Sequence, residues 1–535
     1  MASQINQAFS AQSEMPLMWH ANATQWQDVP QWLNFTAGWS TWQYMVTIVL
    51  GLMVYDQVMY IKRKGSIAGP TFKIPFVGPF IQALDPKFDG YLAQWAKGPL
   101  SCVSIFHKFV VLASDRDIAH KVFKSPAYAG PCLVPIAKEI IGRNAWVFLH
   151  GKAHAEYRRG LAPLFTTKAM ATYLPVQEKV LDFYYDKFVA ASEANQGRPM
   201  AFMALFREIN CALSCRTFFG DYISQDAVKK IADDFYLATA ALELVNVPLS
   251  MYVPYTKTWL GKRTADAVMA EFAKCAAACK ANMVTDATPT CTVDHWVLHM
   301  MESKRYHDRI AAGETDVARP INLIREFTNG EIAETLFTFL FASQDASSSA
   351  TNWLFQVLAQ RPGVLDRLRE ENLAARGGDR DKPFDLPMLE SLTYTNAVIK
   401  ELLRYRPPVI FVPYLAKQDF PVTPNYTVPK GSMIIPSCYP ALHDPEVYPN
   451  PDVFDPERWL TGDAESKTKN WLVFGAGPHD CLARKYVPLS MAGMIGKAAL
   501  ELDWEHHATE KSEDIKVFAT LFPMDGCQLV FKKRP

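Results

Sequence analysis

The chain has no Cys-x-x-Cys pair, although ten cysteines are spread over its 535 residues. A structural zinc site needs Cys or His ligands at short spacing, and this spread does not supply them. The closest pairs, Cys211 with Cys215 and Cys275 with Cys279, are four residues apart in alanine-rich sequence of helical pattern. We therefore interpret them as small buried side chains on helix faces in a reducing compartment.

The chain also has no excess of either charge, since Lys and Arg together number 55 and Asp and Glu number 55. No global basic field would attract nucleic acid, and we predict no nucleic-acid partner. Hydrophobic residues make up 49% of the chain, as expected for a folded protein with a large core. The length allows one large domain or two ordinary ones.

One long apolar run, "TWQYMVTIVLGLMVYDQVMYI", covers residues 41–61. As a helix it would span roughly 30 Å, the thickness of a bilayer core, so we expect a single transmembrane anchor. The basic residues Lys62–Lys64 follow directly, and the positive-inside rule then places the body of the protein in the cytosol and residues 1–40 in the lumen. Two glycosylation sequons, at Asn22 and Asn34, fall on the luminal side.

Residues 62–84 are basic at first and then rich in proline and glycine, which predicts a linker. From residue 85 to residue 535 the sequence has no repeat, no low-complexity block and no second linker. We expect this part to be one mainly α-helical domain with small β-sheets. Strand patterns occur in "CVSIFHKFVVLAS", around residues 410–416, and in "DGCQLVFKK" near the C-terminus.

The longest predicted helix begins after Asn329-Gly330 and runs to Arg361, where Pro362 ends it. Its middle reads "ASQDASSSATN" between two apolar stretches. Polar groups buried in the centre of a protein need hydrogen-bond partners or a functional role. Hydroxyls that bond to helix carbonyls would account for the serines but not for Asp345.

Cys481 lies in the loop-like run "FGAGPHDCLAR", in which Gly475, Gly477 and Pro478 exclude a regular helix. From Leu482 onward the pattern is that of an amphipathic helix, so we expect Cys481 at a helix N-terminus, where the dipole would lower the thiol pKa. A thiolate there could be a nucleophile, a zinc ligand or an axial haem ligand. A nucleophile needs a base and zinc needs further ligands, whereas axial haem ligation needs one thiolate alone.

These features resemble the cytochrome P450 family over nearly everything after the anchor. The haem-binding loop of that family reads Phe-x-x-Gly-x-x-x-Cys-x-Gly, which Phe474, Gly477 and Cys481 match, while Ala483 replaces the last glycine. His479 stands where an arginine usually meets a haem propionate. The resemblance implies the P450 fold and haem b, with Cys481 as the axial ligand of the iron.

Other blocks of the family occur in the expected order. "ELLR", Glu401 to Arg404, resembles the Glu-x-x-Arg of the K helix, and "PERW" resembles the block whose arginine, here Arg458, joins that pair. The resemblance gives these residues a structural role around the haem. "GKAHAEYRRGLAPLF" resembles the C helix, which implies that His154 and Arg158 meet the propionates; two solvated basic residues are the alternative.

The long helix resembles the I helix of the family, with "ASQDAS" over the oxygen-activating motif. Ala342 is then a small residue beside the oxygen site, and Asp345 is the acid of a proton relay. Ala346 replaces the usual threonine and Ser347 follows it. The resemblance therefore implies Asp345 and Ser347 as catalytic residues.

Within the family, this helix and the C-terminal tail resemble the fungal, ergosterol-type sterol C-22 desaturases. That implies an endoplasmic-reticulum enzyme that forms the C22–C23 double bond of a sterol side chain, in ergosterol or stigmasterol-type synthesis, with O2. The chain has no nucleotide-binding fingerprint or flavin segment, so NADPH electrons would come through a separate reductase. Family position suggests Phe411 and Phe518 as sterol contacts, with core packing as the alternative. The alternatives for function are another sterol P450, a hydroxylase or demethylase, and a haem-binding protein without turnover.

Overall fold

The computed structural model describes residues 38–75, 87–105, 108–132, 136–143, 145–242, 248–284, 287–410, 412–517 and 520–535. The chain divides between Val58 and Met59 into two units. The predicted sequons at Asn22 and Asn34 lie outside the described residues.

Helix α1, Thr41–Lys64, is the one helix in the described residues that is long and apolar enough to cross a membrane. Its side chains before residue 59 are largely exposed, including Trp42 and Ile48. Near its end Tyr60 is buried, packs edge-on against Phe109, and donates its hydroxyl to the carbonyl of Pro70 at 2.7 Å. The last turns of α1 therefore belong to the second unit.

The second unit is mainly α-helical, as the sequence predicts. Before the central helix come α2 (Phe88–Trp95), α3 (Arg116–Phe123), α4 (Ala137–Ile141), α5 (Gly151–Leu161), α6 (Thr167–Ala194), α7 (Met203–Phe219), α8 (Gln225–Ala240), α9 (Lys257–Asn282) and α10 (Thr292–Ala311). The central helix is α11 (Asn329–Ala359), and after it come α12 (Pro362–Ala375), α13 (Leu386–Ser391), α14 (Thr393–Tyr405), α15 (Tyr439–Leu442) and α16 (Tyr486–Glu501).

The strands are short and form small sheets. They are β1 (Leu100–Ile105), β2 (Lys108–Ala113), β3 (Ala129–Pro131), β4 (Met200–Ala201), β5 (Tyr414–Ala416), β6 (Phe420–Thr423), β7 (Tyr426–Val428), β8 (Met433–Pro436), β9 (Leu502–His506), β10 (Ile515–Val517), β11 (Leu521–Pro523) and β12 (Gln528–Lys533). The largest sheet has the order β1-β2-β8-β5-β3, in which β2 and β8 are parallel and the other pairs are antiparallel. The three predicted strand regions are confirmed: the first forms β1 and β2, the second contains β5, and the third contains β12.

Helix α11 is the longest helix in the described residues, which confirms the predicted long helix. It begins at Asn329, two residues before the predicted start, and ends at Ala359, two residues before the predicted end. A capping box fixes its start, because the Thr328 hydroxyl accepts from the Glu331 amide at 3.2 Å and the Glu331 carboxylate accepts from the Thr328 amide at 2.8 Å. Apolar residues on both sides of its polar middle, such as Leu336 and Phe355, belong to the main core. The polar middle therefore lies between two stretches of the core, and part of it, including Asp345, is buried as expected.

All ten cysteines are unpaired in the structure. The four predicted to be small buried residues are buried side chains of α7 (Cys211 and Cys215) and of α9 (Cys275 and Cys279). Their prediction as packing residues is confirmed.

Candidate active site

The loop that carries Cys481 is held in shape by two glycines and one backbone hydrogen bond. Gly475 and Gly477 have φ angles of +66° and +77°, in the region that other residues rarely adopt. A Cβ at Gly477 would lie 2.3 Å from the carbonyl oxygen of Phe123, so a side chain does not fit there. The Cys481 amide donates to the carbonyl of Phe474 at 2.8 Å. Cys481 is the one exposed cysteine of the ten, so the loop presents it to open space.

The prediction that a helix begins at Leu482 is wrong, because α16 begins at Tyr486 after a series of turns. Pro488 explains the delay: it now lies in the first turn, whereas an earlier start would put it in the helix interior, where it removes a hydrogen bond and clashes with the preceding turn. Cys481 therefore does not lie at a helix N-terminus.

The pKa of the Cys481 thiol is raised, not lowered as we expected from a helix dipole. Protein surrounds the sulfur on the sides away from the open space, and this burial raises the pKa. The backbone hydrogen bond with Ala483 and the charges of Arg158 and Arg484 act in the opposite direction. These groups, rather than a helix dipole, are what favours a thiolate here.

Basic side chains of α5 face this loop. His154 is buried, and its ring centroid lies 3.9 Å from that of His479. Burial and the nearby Arg158 lower the pKa of His154. Burial lowers the pKa of His479 to about 3, together with the neighbouring His154, His150 and Arg158. Arg158 donates to the Asp480 carbonyl at 2.8 Å and forms an ion pair with the Asp480 carboxylate. The histidines and arginine that the sequence predicts as propionate contacts therefore lie together beside the loop.

Two buried ring nitrogens of this cluster, Trp146 Nε1 and His154 Nε2, have no hydrogen-bond partner among the described residues. Trp146 stacks on His154 with ring centroids 6.1 Å apart and meets Phe339 of α11 edge-on at 6.2 Å. Buried polar groups without partners are costly, so these nitrogens favour a ligand that can bond to them. The nearby charge of Arg158 favours an anionic one. Sequence reasoning did not identify Trp146.

The middle of α11 presents an open face. Ala342 is exposed, and Ala346, one turn later, is half-buried, although the flanking turns of the helix are buried. Ser347 is also half-buried, and within the described part of the chain its hydroxyl has no hydrogen-bond partner. The Ser343 hydroxyl is instead engaged with that of Ser214 at 2.9 Å. The open face is therefore formed mainly by small side chains.

Asp345 does not share this face. Its side chain is buried and forms an ion pair with Arg207 of α7, and the Gln344 amide donates to the Arg207 carbonyl at 2.7 Å. Arg207 was missed by sequence reasoning. The available signal is an isolated arginine in the largely apolar run "MALFREIN", because a buried arginine needs an anionic partner.

The predicted structural group of Glu401, Arg404 and Arg458 is assembled in the interior. Arg404 donates twice to the Glu401 carboxylate, at 2.8 Å each, and Arg458 donates to it at 3.0 Å. The indole of Trp459 donates to the same carboxylate at 2.9 Å. Glu401 and Arg404 are fully buried, and Arg404 also bonds to the carbonyl of Leu442. This group connects α14 to the segment before the Cys481 loop.

Comparison with known proteins decides the family. The model of the family described as Cytochrome P450 matches residues 68–519. The chain belongs to the cytochrome P450 family. It is 80% identical over 495 residues to cytochrome P450 monooxygenase oblE of Emericella variicolor, covering 92% of this chain and 94% of that protein. It is 77% identical over 492 residues to C-22 sterol desaturase ERG5B of Gibberella zeae, covering 92% of each.

The fold of this P450 is similar to a solved structure described as retinoic acid bound cyanobacterial CYP120A1. The TM-score is 0.72, the similarity covers 88% of this chain and 99% of that one, and the sequences are 20% identical. This likeness shows the fold alone, which is the predicted P450 fold.

P450s carry a haem whose iron is bound by a thiolate, and the residues of this site fit that group. Cys481 is an exposed thiol, and the small side chains on the open face of α11, Ala342 among them, suit a flat apolar macrocycle. The unpartnered nitrogens of Trp146 and His154 fit a haem as well, because an anionic propionate would give them a partner.

The predicted sterol contacts Phe411 and Phe518 lie outside the described residues, so they stay predictions. The chain segments next to these two phenylalanines are in contact, because the Leu521 amide donates to the carbonyl of Pro408 at 3.2 Å.

Proposed function

We propose that this P450 is an oxidoreductase that introduces the C22–C23 double bond of a sterol side chain. The observation that carries the proposal is the 77% identity, over 92% of both chains, to a protein named C-22 sterol desaturase. The reaction balances with one O2, one NADPH and one proton: the sterol loses two hydrogens from adjacent carbons, and the products are the alkene, NADP⁺ and two waters.

We propose that Cys481 is the axial thiolate ligand and that Trp146, His154, Arg158 and His479 hold the propionates. Haem, when bound, supplies the iron at which O2 is reduced and C–H bonds are oxidised. The rigid turn at Gly477 fixes the sulfur. Arg158 is already bonded to Asp480, so it reinforces the loop and adds positive charge to the propionate side at the same time.

The protons needed to reduce O2 to water must reach the open face of α11. Ala346 has no hydroxyl, so we propose that Ser347 and water carry protons there from Asp345. Arg207 holds the Asp345 carboxylate in an ion pair, so it fixes the orientation of that side chain. The relay therefore depends on a carboxylate whose charge is balanced by α7.

Electrons must come from another protein, and we propose an NADPH–P450 reductase as that partner. We further propose that α1 anchors the enzyme in the endoplasmic reticulum membrane. The exposed apolar side chains of α1 and the basic residues Lys62–Lys64 at its end support that anchor and a cytosolic catalytic unit. The limits 1–40, 41–61, 62–84 and 85–535 stay predictions.

A second candidate function is oxygen insertion rather than desaturation. The name of the relative at 80% identity specifies a monooxygenase and no substrate. Hydroxylation of a sterol would use the same O2, NADPH and proton but leave one oxygen in the product and release one water.

One experiment separates the two. The purified full-length protein is incubated with reductase, NADPH and a panel of sterols, and the products are identified by mass spectrometry. Desaturation gives a product that has lost two hydrogens, and hydroxylation gives one that has gained an oxygen. NADPH consumption without any sterol product would contradict both proposals, and no NADPH consumption would indicate a haem-binding protein without turnover.

A further inference from the structure

Beyond Asp345, polar side chains recur along one face of α11. Ser349, Trp353, Gln356 and Gln360 are three or four residues apart, a spacing that places them on the same side of a helix. We refer to these four residues as the polar stripe. None of them takes part in the site described above.

The polar stripe is bonded to the C-terminal segment that contains β10 and β11. The Leu521 carbonyl accepts from the Ser349 hydroxyl and from Trp353 Nε1, the latter at 3.0 Å. Gln356 donates to the Ser512 carbonyl at 2.9 Å, and Gln360 donates to the Glu513 carboxylate at 3.1 Å. Each residue of the stripe therefore fixes a point of this segment.

One bond runs in the opposite direction, from the segment to the helix. The Thr520 hydroxyl donates to the main-chain carbonyl of Asp345 at 3.3 Å. Ser349, Trp353 and Thr520 are all buried, so water does not compete for these bonds. The start of β11 is thus held at the turn of α11 that carries Ala346 and Ser347 of the open face.

We propose that Ser349 and Thr520 are positioning residues that set how the sterol side chain meets the open face of α11; this rests on the proposed function. Leu521 follows Thr520 in the chain and accepts the bond from Ser349, and its amide donates to the carbonyl of Pro408. The start of β11 therefore links α11 to the segment after α14. Desaturation removes hydrogens from two adjacent carbons, whereas hydroxylation needs one carbon in reach. A displaced β11 therefore impairs desaturation more than it impairs oxygen insertion.

The structure offers a matched control for each position. Ser348 is as buried as Ser349, but its hydroxyl donates to the Gln344 carbonyl of its own helix. Ser349→Ala is therefore compared with Ser348→Ala. At Thr520, valine has nearly the same shape without the hydroxyl and serine keeps the hydroxyl, so Thr520→Val is compared with Thr520→Ser.

The test uses the full-length enzyme with reductase. The sterol Kd is measured from the change in the haem absorption spectrum, and the ratio of desaturated to hydroxylated sterol by mass spectrometry. Loss of one buried hydrogen bond predicts a Kd about five- to tenfold weaker for Ser349→Ala and Thr520→Val. The product ratio should shift toward hydroxylated sterol, while the reduced, CO-bound spectrum keeps its wild-type amplitude. Ser348→Ala and Thr520→Ser should match the wild type in both quantities.

Wild-type Kd and product ratio in both Ser349→Ala and Thr520→Val would overturn the proposal, and so would equal effects in the two controls. If Ser349→Ala fails to incorporate haem, the Thr520 pair decides. If the wild-type enzyme forms no desaturated sterol, the proposed function fails, and the Kd contrast between each variant and its control still tests the positioning role.

Discussion

Replacing Asp345 by asparagine should damage both stability and turnover, and the structure gives the size of the first effect. The side chains of Asp345 and Arg207 are 6% and 17% exposed, so the variant leaves a nearly buried guanidinium without its partner. Breaking a buried ion pair from one side costs about 3–5 kcal/mol. At about 2.1 cal/mol/K per residue, a unit of roughly 480 residues has an unfolding entropy near 1 kcal/mol/K. Tm should therefore fall by roughly 3–5 °C.

The effect on turnover has a different cause. If Asp345 supplies protons to the open face through Ser347 and water, Asp345→Asn should lower turnover by about a hundredfold. More NADPH electrons should then leave as peroxide. Ser347→Ala should show a smaller loss of the same kind. Sterol binding should change little, because Asp345 does not share the open face.

A double variant separates the two causes. Arg207→Gln combined with Asp345→Asn removes both charges, so most of the lost Tm should return. Turnover and coupling should stay low, because the proton donor is still absent. The assays are thermal unfolding followed by haem absorbance, sterol Kd, NADPH consumption and peroxide release. Wild-type coupling in the double variant would show that Asp345 serves only to hold α11 on α7. An unchanged Tm in Asp345→Asn would refute the stability argument.

Three further predictions follow from the same structure. Cys481→Ala should abolish the reduced, CO-bound spectrum typical of a thiolate-ligated haem, and a variant that keeps the spectrum would contradict the assignment of the ligand. Removal of residues 1–58 should give a more soluble, haem-loaded protein, and a truncated protein that stays wholly membrane-integral would contradict the single anchor. In the truncated protein, Tyr60→Ala should lower the Tm, because it removes a buried aromatic contact. Burial lowers the pKa of His295 to about 4 in the folded protein, while its pKa in the unfolded chain stays near 6.5. Between these two pH values the unfolded chain binds more protons than the folded protein. The free energy of unfolding should therefore fall as the pH falls from 6.5 to 4. His295→Gln, which can still bond to Thr172, should reduce that dependence in urea unfolding at pH 7 and pH 5, and an unchanged slope would refute it.

Local signals in the sequence were sufficient for some elements. The start and end of α11 follow from a capping box at Thr328 and from Pro362, both of which act within one turn of the chain. The strand-like composition of "CVSIFHKFVVLAS" likewise predicted the region of β1 and β2. The start of α16 was missed because the apolar pattern continues through residues 482–485, and Pro488 outweighs that pattern.

Residues of the candidate site could be predicted where a sequence motif contains them. They could not be predicted where a contact between residues far apart in the chain defines their role. Cys481, His154 and His479 lie in recognisable blocks, and the structure brings them to one place. The partner of Asp345 is 138 positions away in the chain, and no periodicity connects two residues at that distance. Trp146 was missed for the same reason, since its neighbours His154 and Phe339 come from two different helices.

The polar middle of α11 shows why adjacent residues of one motif need not share a function. Successive residues point about 100° apart around a helix, so a run of polar residues is divided among different neighbours. Ala342 and Ala346 border open space, Asp345 is bonded to α7, and Ser349 is bonded to the start of β11. Substitutions only four positions apart should therefore have unrelated effects: Asp345→Asn should change proton delivery with little change in sterol Kd, and Ser349→Ala should change sterol Kd and product ratio with little peroxide release. If both variants showed the same combination of effects, the division of α11 into separate faces would be wrong.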